Sequence, residues 1–177
     1  MIVARYFFAL DIPNDSKQAL SAIQQRITPL LPKPTTLENL HLTLAFLGDI
    51  TPEQKSALIN YAALLPQSVS KNTRYNLIAD HIGVFEQAKV MYVGLAEQPA
   101  WLNSLAAMLE AKAKELGIAM VERPYHAHIT ISRKVKSMPV PMSFKESIQI
   151  NSFSLYQSIS TPGGVKYLPE VTFSLTK

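Results

Sequence analysis

Apolar residues crowd together in MIVARYFFALDIP, broken only by Arg5 and closed by Asp11-Ile12-Pro13. The run is too short and too interrupted to span a bilayer or act as a signal segment, and it predicts a first strand. The period then lengthens: Leu20, Ile23, Ile27 and Leu30 recur at helical spacing, with Asn14 or Asp15 as the cap and Pro32 and Pro34 beyond the end. From about Asn39 to Leu47 strict alternation returns in ENLHLTLAFL, predicting a strand closed by Gly48. Thr51-Pro52-Glu53-Gln54 then offers a capping threonine, a first-turn proline and a glutamine three residues past the cap. A helix starting there turns Leu58, Ala62 and Leu65 inward and is expected to stop near Pro66.

Two extended runs follow, Arg74 to Phe85 and Ala88 to Leu95, and the polar step Glu86-Gln87 between them predicts a hairpin, with Gly83 and Gly94 as bulges or strand ends. Leu102, Leu105, Leu109 and Leu116 make one stripe of a third helix over Ala100 to Leu116, with Trp101 packing at its start and Gly117 in the C-cap position. Beyond it come a strand over Tyr125 to Arg133, a Pro- and Ser-containing loop through Met142, and extended runs near Ser147 to Ser160 and Val165 to Leu175, separated by the turn Pro162-Gly163-Gly164. Helices and strands do not alternate regularly, and several connections are too short for parallel crossovers. The expected fold class is α+β with mainly antiparallel sheet, in a single domain over residues 1–177 without a linker.

Within ENLHLTLAFL, His41 and Thr43 take the polar positions of the alternation, and residues 126 to 133, HAHITISR, repeat the form as His128-Ile129-Thr130-Ile131. One His-apolar-Thr-apolar strand is a common chance pattern, whereas two copies 87 positions apart in a chain of 177 residues suggest two related lobes. In each strand His and Thr share one face, and the aliphatic pair, Leu42 with Leu44 or Ile129 with Ile131, anchors the other. Lobes packed about a pseudo-twofold axis would turn both polar pairs into a central groove. Parity places Phe46 with the core-facing leucines unless a bulge intervenes.

Two imidazoles across one groove suit proton transfer, because a reference pKa of about 6.5 lets one accept while the other donates. That is the requirement for opening a phosphodiester without a metal, and two threonine hydroxyls can steady the charge that develops on the non-bridging oxygens. A metal site is the competing use of the histidines, with His126 and His128 its nearest pair, but a third ligand is not evident. His126 shares the parity of His128 and is expected at the groove's rim, while His81, alone in its run, reads as structural.

Composition narrows the setting. Hydrophobic residues make up 47% and charged residues 17%, which excludes a disordered or fibrous chain. The formal charge of +4 is scattered and permits a phosphate-bearing ligand without demanding one. The absence of cysteine excludes disulfides, a thiolate nucleophile and sulfur-based zinc sites and points to a cytoplasmic protein, and no segment approaches membrane length, so no membrane partner is expected.

The stretches ARYFFALDIP, NLHLTLAFLGDI, RPYHAHITISRK and FSLYQSISTPGGVKYLPEVTFSL resemble, in order and over essentially the whole chain, the two-histidine (2H) phosphoesterase superfamily. Within it, the resemblance is to the RNA 2',3'-cyclic phosphodiesterases, also called the 2'-5' RNA ligase family. The resemblance implies a bilobal α+β fold and metal- and cofactor-free hydrolysis of RNA or oligonucleotide 2',3'-cyclic phosphate ends to 2'-phosphomonoesters, with reversible 2'-5' joining in some members. Carried over by position, His41 is the proton donor, His128 the proton acceptor, Thr43 and Thr130 the phosphate-binding hydroxyls, and Arg133 a phosphate-binding cation. The chain departs from the pattern at Ala127, where proline often precedes the second histidine, and at Ile131, where leucine is usual. A monomer acting on RNA ends is the expectation. The alternatives are a phosphodiesterase for small cyclic nucleotides and a non-catalytic RNA-binding module.

Overall fold

The apolar run at the start forms strand β1 (Arg5–Leu10), in which every residue after Arg5 is buried. The computed structural model describes residues 4–27, 31–69, 74–138 and 141–176, so Leu30 lies outside the described residues. Helix α1 (Asn14–Arg26) begins one residue earlier than a cap at Asn14 would allow. Pro13 occupies the cap position without a side-chain bond, and Asp15 sits in the first turn, where a carboxylate favours the helix dipole. Leu20, Ile23 and Ile27 are buried as expected. After a short strand β2 (Lys33–Pro34), residues Leu37–Asn39 wind into a 3-10 turn, which delays the motif strand β3 (Leu42–Gly48) beyond its expected start.

The capping box opens α2 (Pro52–Ala62) as its chemistry requires: the Gln54 N–H donates to Thr51 Oγ1 at 3.1 Å and the Thr51 N–H to Gln54 Oε1 at 2.9 Å. Pro66 does not end this helix. It enters the first turn of a separate short helix α3 (Leu65–Val69), where its missing N–H would be unpaired in any case. The hairpin of β4 (Asn76–Phe85) and β5 (Val90–Leu95) leads to α4 (Ala100–Glu115), followed by Gly117 at φ 81°, in the left-handed region. Trp101 packs edge-on against Tyr75.

Strand β6 (His128–Arg133) carries the second motif. The extended run expected over residues 147 to 160 divides into β7 (Glu146–Gln149) and β8 (Ser152–Thr161), because buried Ile150 donates its N–H to the Tyr75 carbonyl and the chain then crosses the molecule. The turn at Pro162-Gly163 delivers β9 (Gly164–Ser174).

All these strands form one antiparallel sheet in the order β7-β4-β5-β6-β3-β1-β8-β9, with β2 beside β6, so the fold is α+β as expected. Four strands, β9, β8, β1 and β3, make one side, and β6, β5, β4 and β7 make the other, and among the described residues the two sides pair only at Leu42↔Ile129. The sides are not the two halves of the chain, because β8 and β9 return to flank β1. The helices interlock them: α4, which follows β5, packs against β3, and α1, which follows β1, reaches β7. One apolar cluster runs beneath both sides and includes Phe8, Leu20, Leu42, Leu105 and Ile129.

Candidate active site

The central pair Leu42↔Ile129 fixes the site, because an antiparallel register through it sets His41 opposite Thr130 and Thr43 opposite His128. Directly opposed residues share a face, with Cβ atoms about 5 Å apart. Leu42 and Ile129 are wholly buried below, so both His-Thr pairs stand together on the upper face. The register also makes a continuous row across the sheet: Ser154, Ala9, Thr43, His128, Gly94 and His81.

Each motif then breaks its alternation at the same place. Opposite β1, Ala9 pairs with Thr43 and Phe8 with Ala45, leaving Leu44 as an extra residue. Opposite β5, Tyr92 pairs with Thr130 and Met91 with Ser132, leaving Ile131 extra. Both are β-bulges, which put two successive residues inward and re-aim the residues that follow. Leu44 and Ala45 are buried and Phe46 is 54% exposed, so Phe46 is not a core residue as its parity suggested. Ile131 and Ser132 are likewise wholly buried, and Arg133 turns outward. Phe46 and Arg133 thus occupy equivalent places, five residues after their histidines.

The two histidines are also oriented alike. The His41 Nδ1–H donates to the Asn39 carbonyl at 2.7 Å and the His128 Nδ1–H to the His126 carbonyl at 2.8 Å, so each Nε2 is left for chemistry. Thr43 Oγ1 lies 2.9 Å from His41 Nε2 and donates to it when the ring is neutral. Phe7 and Tyr167 each pack 4.9 Å from the His41 ring, while Phe85 at 4.9 Å and Tyr92 at 5.6 Å hold His128. Burial, with the nearby charges of His128, Arg133 and Lys17, lowers His41 to about 4. His128 is lowered for the same leading reason, with His126, Arg123 and Arg133 adding to it.

Beside His41 opens a cleft of about 400 Å³ whose walls include Phe7, Thr43, Phe46, Arg133 and Tyr167. Asn39 ties down its far wall: its side chain donates to the Val165 carbonyl at 2.7 Å and accepts from the Tyr167 N–H at 3.2 Å. His126 is exposed at the rim, its ring edge-on to Phe85 and Tyr92. His81 pairs with Asp80 at 2.6 Å, and its ring covers Gly94. The hairpin's irregularity falls at Asp80, while Gly83 and Gly94 make room for rings: an added Cβ would come within 2.4 Å of Tyr92 or 2.2 Å of His81. Among the described residues no group of three or more His, Asp or Glu side chains is placed to hold a metal ion.

Two residues that the sequence did not signal brace the motif strands where they part. Gln24 Nε2, on α1, donates to the Ile131 carbonyl at 2.7 Å, and the Tyr125 hydroxyl donates to the Thr43 carbonyl at 2.8 Å. Ala127, standing where proline is common, retains an N–H and donates it to Gln98 Oε1.

Comparison with known proteins gives a concordant result. A family model described as LigT-like phosphoesterase matches residues 10–92 and 93–167, each segment containing one motif. An RNA 2',3'-cyclic phosphodiesterase of Escherichia coli (strain K12) is 33% identical over 98% of this chain and 97% of its own length. One from Thermus thermophilus is 30% identical over 97% of this chain and 90% of its own. The crystal structure of E. coli LigT complexed with 3'-AMP superimposes with a TM-score of 0.86 at 30% identity, covering 100% of both chains.

Proposed function

Since the chain belongs to the LigT-like phosphoesterase family and is a phosphoesterase, we propose that it hydrolyses the 2',3'-cyclic phosphate at the end of an RNA or oligonucleotide to a 2'-phosphomonoester. The observation that carries this reading is the convergence of two His-Thr pairs on one face beside an open, aromatic- and arginine-lined cleft of nucleotide size. The relatives named for this activity support the substrate class.

In the proposed reaction the cyclic phosphate lies between the motif strands, its non-bridging oxygens accepting from the Thr43 and Thr130 hydroxyls and from the Arg133 guanidinium. The nucleoside occupies the cleft, with its base on Phe46. That placement sets the ribose beside His41, which favours His41 as the acid and His128 as the base. His128 Nε2 takes a proton from water as the water oxygen attacks phosphorus; the bond from phosphorus to O3' breaks, and His41 Nε2–H protonates O3'. His41 at about 4 enters the reaction neutral in the free enzyme. The arriving phosphate anion raises it, so substrate binding loads the proton that the step then uses. One chain supplies both histidines, so a monomer suffices, and the cysteine-free composition suits a cytoplasmic enzyme. An RNA hydroxyl in place of the water would give the 2'-5' joining reaction by the same proton movements.

The test is incubation of EDTA-treated protein with an oligonucleotide ending in a 2',3'-cyclic phosphate, with the product analysed for the position of its phosphate. The expected product carries a 2'-phosphate, and His41→Ala and His128→Ala should each slow its formation by roughly 10²–10⁴-fold without loss of folding. A 3'-phosphate product, a requirement for added metal, or near wild-type rates in either variant would overturn the reading.

A further inference from the structure

The end of the cleft beyond Phe7 and Phe46 has chemistry of its own. Along β1, Ala9 stands beside Thr43, Phe7 beside Phe46, and Arg5 lies one further step out, directly opposite Ser158 on β8. Alternate residues advance roughly 7 Å along a strand, so Arg5 stands roughly 13 Å from the Thr43 row, past the rings and away from the phosphate. Both Arg5 and Ser158 line the cleft. Neither the Arg5 guanidinium nor the Ser158 hydroxyl has a hydrogen bond or ion pair among the described residues.

Between the two ends, Phe46 and Val165 expose 54% and 43% of their surface and both line this same cleft. Two exposed apolar side chains lining one cleft offer a slot to a flat ring, and an exposed aromatic face is the usual way in which a protein holds an unpaired base. Arg133 accounts for the cation needed near the phosphate. Arg5, at the opposite end, calls for a second acceptor on the ligand, and the acceptor that a ring in the slot presents in that direction is its own edge.

We propose that Arg5 and Ser158 form a base-edge subsite that favours guanosine as the nucleoside bearing the cyclic phosphate, an inference resting on the phosphodiesterase reading above. Guanine presents O6 and N7 as adjacent acceptors that fit the guanidinium fork, whereas adenine sets an amino donor beside N7 and the pyrimidines are shorter. The serine hydroxyl can donate or accept and so tolerates the group beside it.

The experiment compares kcat/KM for the four nucleoside 2',3'-cyclic phosphates, which have no 5'-phosphate for Arg5 to bind, in wild type, Arg5→Met, Arg5→Lys and Ser158→Ala. Wild type should prefer guanosine over adenosine by about tenfold. Arg5→Met should bring that ratio close to one, and Arg5→Lys, which keeps the charge but loses the fork, should not restore it. Ser158→Ala should lower kcat/KM on both purines and leave their ratio close to that of wild type. Equal rates on all four by wild type, the same proportional loss on all four in Arg5→Met, or full rescue by Arg5→Lys would overturn the subsite and leave the phosphodiesterase reading standing. Hydrolysis of none of the four, nor of a cyclic-phosphate oligonucleotide, would overturn the phosphodiesterase reading and the subsite with it.

Discussion

His41 carries a pH dependence whose sign follows from its surroundings. Folded, it titrates at about 4; released on unfolding, it returns to 6.5. Between those values the unfolded chain binds the additional proton, so stability falls as pH drops from 6.5 towards 4 and is unaffected by this group above 6.5. By about pH 5 the loss amounts to about 2 kcal/mol. His41→Gln should abolish that part of the loss, which urea denaturation near pH 7.5 and pH 5 can measure by comparing the two proteins. Phe46 is the other informative residue. Loss of one stacking partner costs about 1–3 kcal/mol, so Phe46→Ala should raise KM by roughly five- to 150-fold while Phe46→Trp preserves it, as steady-state kinetics would show. The sequence made the histidines and threonines legible because two copies of an alternating pattern are hard to obtain by accident. It misplaced Phe46 because parity counting assumes an unbroken ladder, and the extra residue at Leu44 is visible only in the pairing with β1.

Among the elements, helix ends are more legible in the sequence than strand partners. The capping box at Thr51 and the left-handed Gly117 are local devices, and local devices are written in consecutive letters. The break at Ile150-Asn151 was not, since each side of it is a good strand and only the choice of partner separates β7 from β8. Gly83 and Gly94 show the same limit: each is explained by a ring from a neighbouring strand. They should differ on substitution. Gly83→Ala drives a Cβ into the Tyr92 ring, which packs against both Phe85 and His128, and should cost about 1–3 kcal/mol and lower turnover as well. Gly94→Ala meets His81, whose half-exposed ring can swing away, and should be milder. Thermal unfolding of the pair would rank them, and equal losses would contradict the packing argument.

For the molecule as a whole, the two sides of the sheet share one backbone pair at the centre, so their relative placement depends on exchanged helices and on the braces of Gln24 and Tyr125. Gln24→Leu leaves a buried carbonyl with one partner fewer and should destabilise by about 1–3 kcal/mol. Tyr125→Phe frees the Thr43 carbonyl, and its effect should be larger on kcat than on the unfolding midpoint, because the strand it steadies holds the reacting groups. None of this was legible in the sequence, where Gln24 and Ile131 are separated by more than a hundred positions. The return of β8 and β9 to flank β1 has a consequence for synthesis. A ribosome that has delivered residues 1 to 150 has made both motifs, yet RYFFAL still lacks its neighbour on one edge. An apolar strand with an open edge is an invitation to pair with another chain. The nascent protein therefore stays vulnerable until β8 and β9 emerge, and a chaperone that shields β1 during that interval should raise the yield of active enzyme more than one acting after β8 has paired.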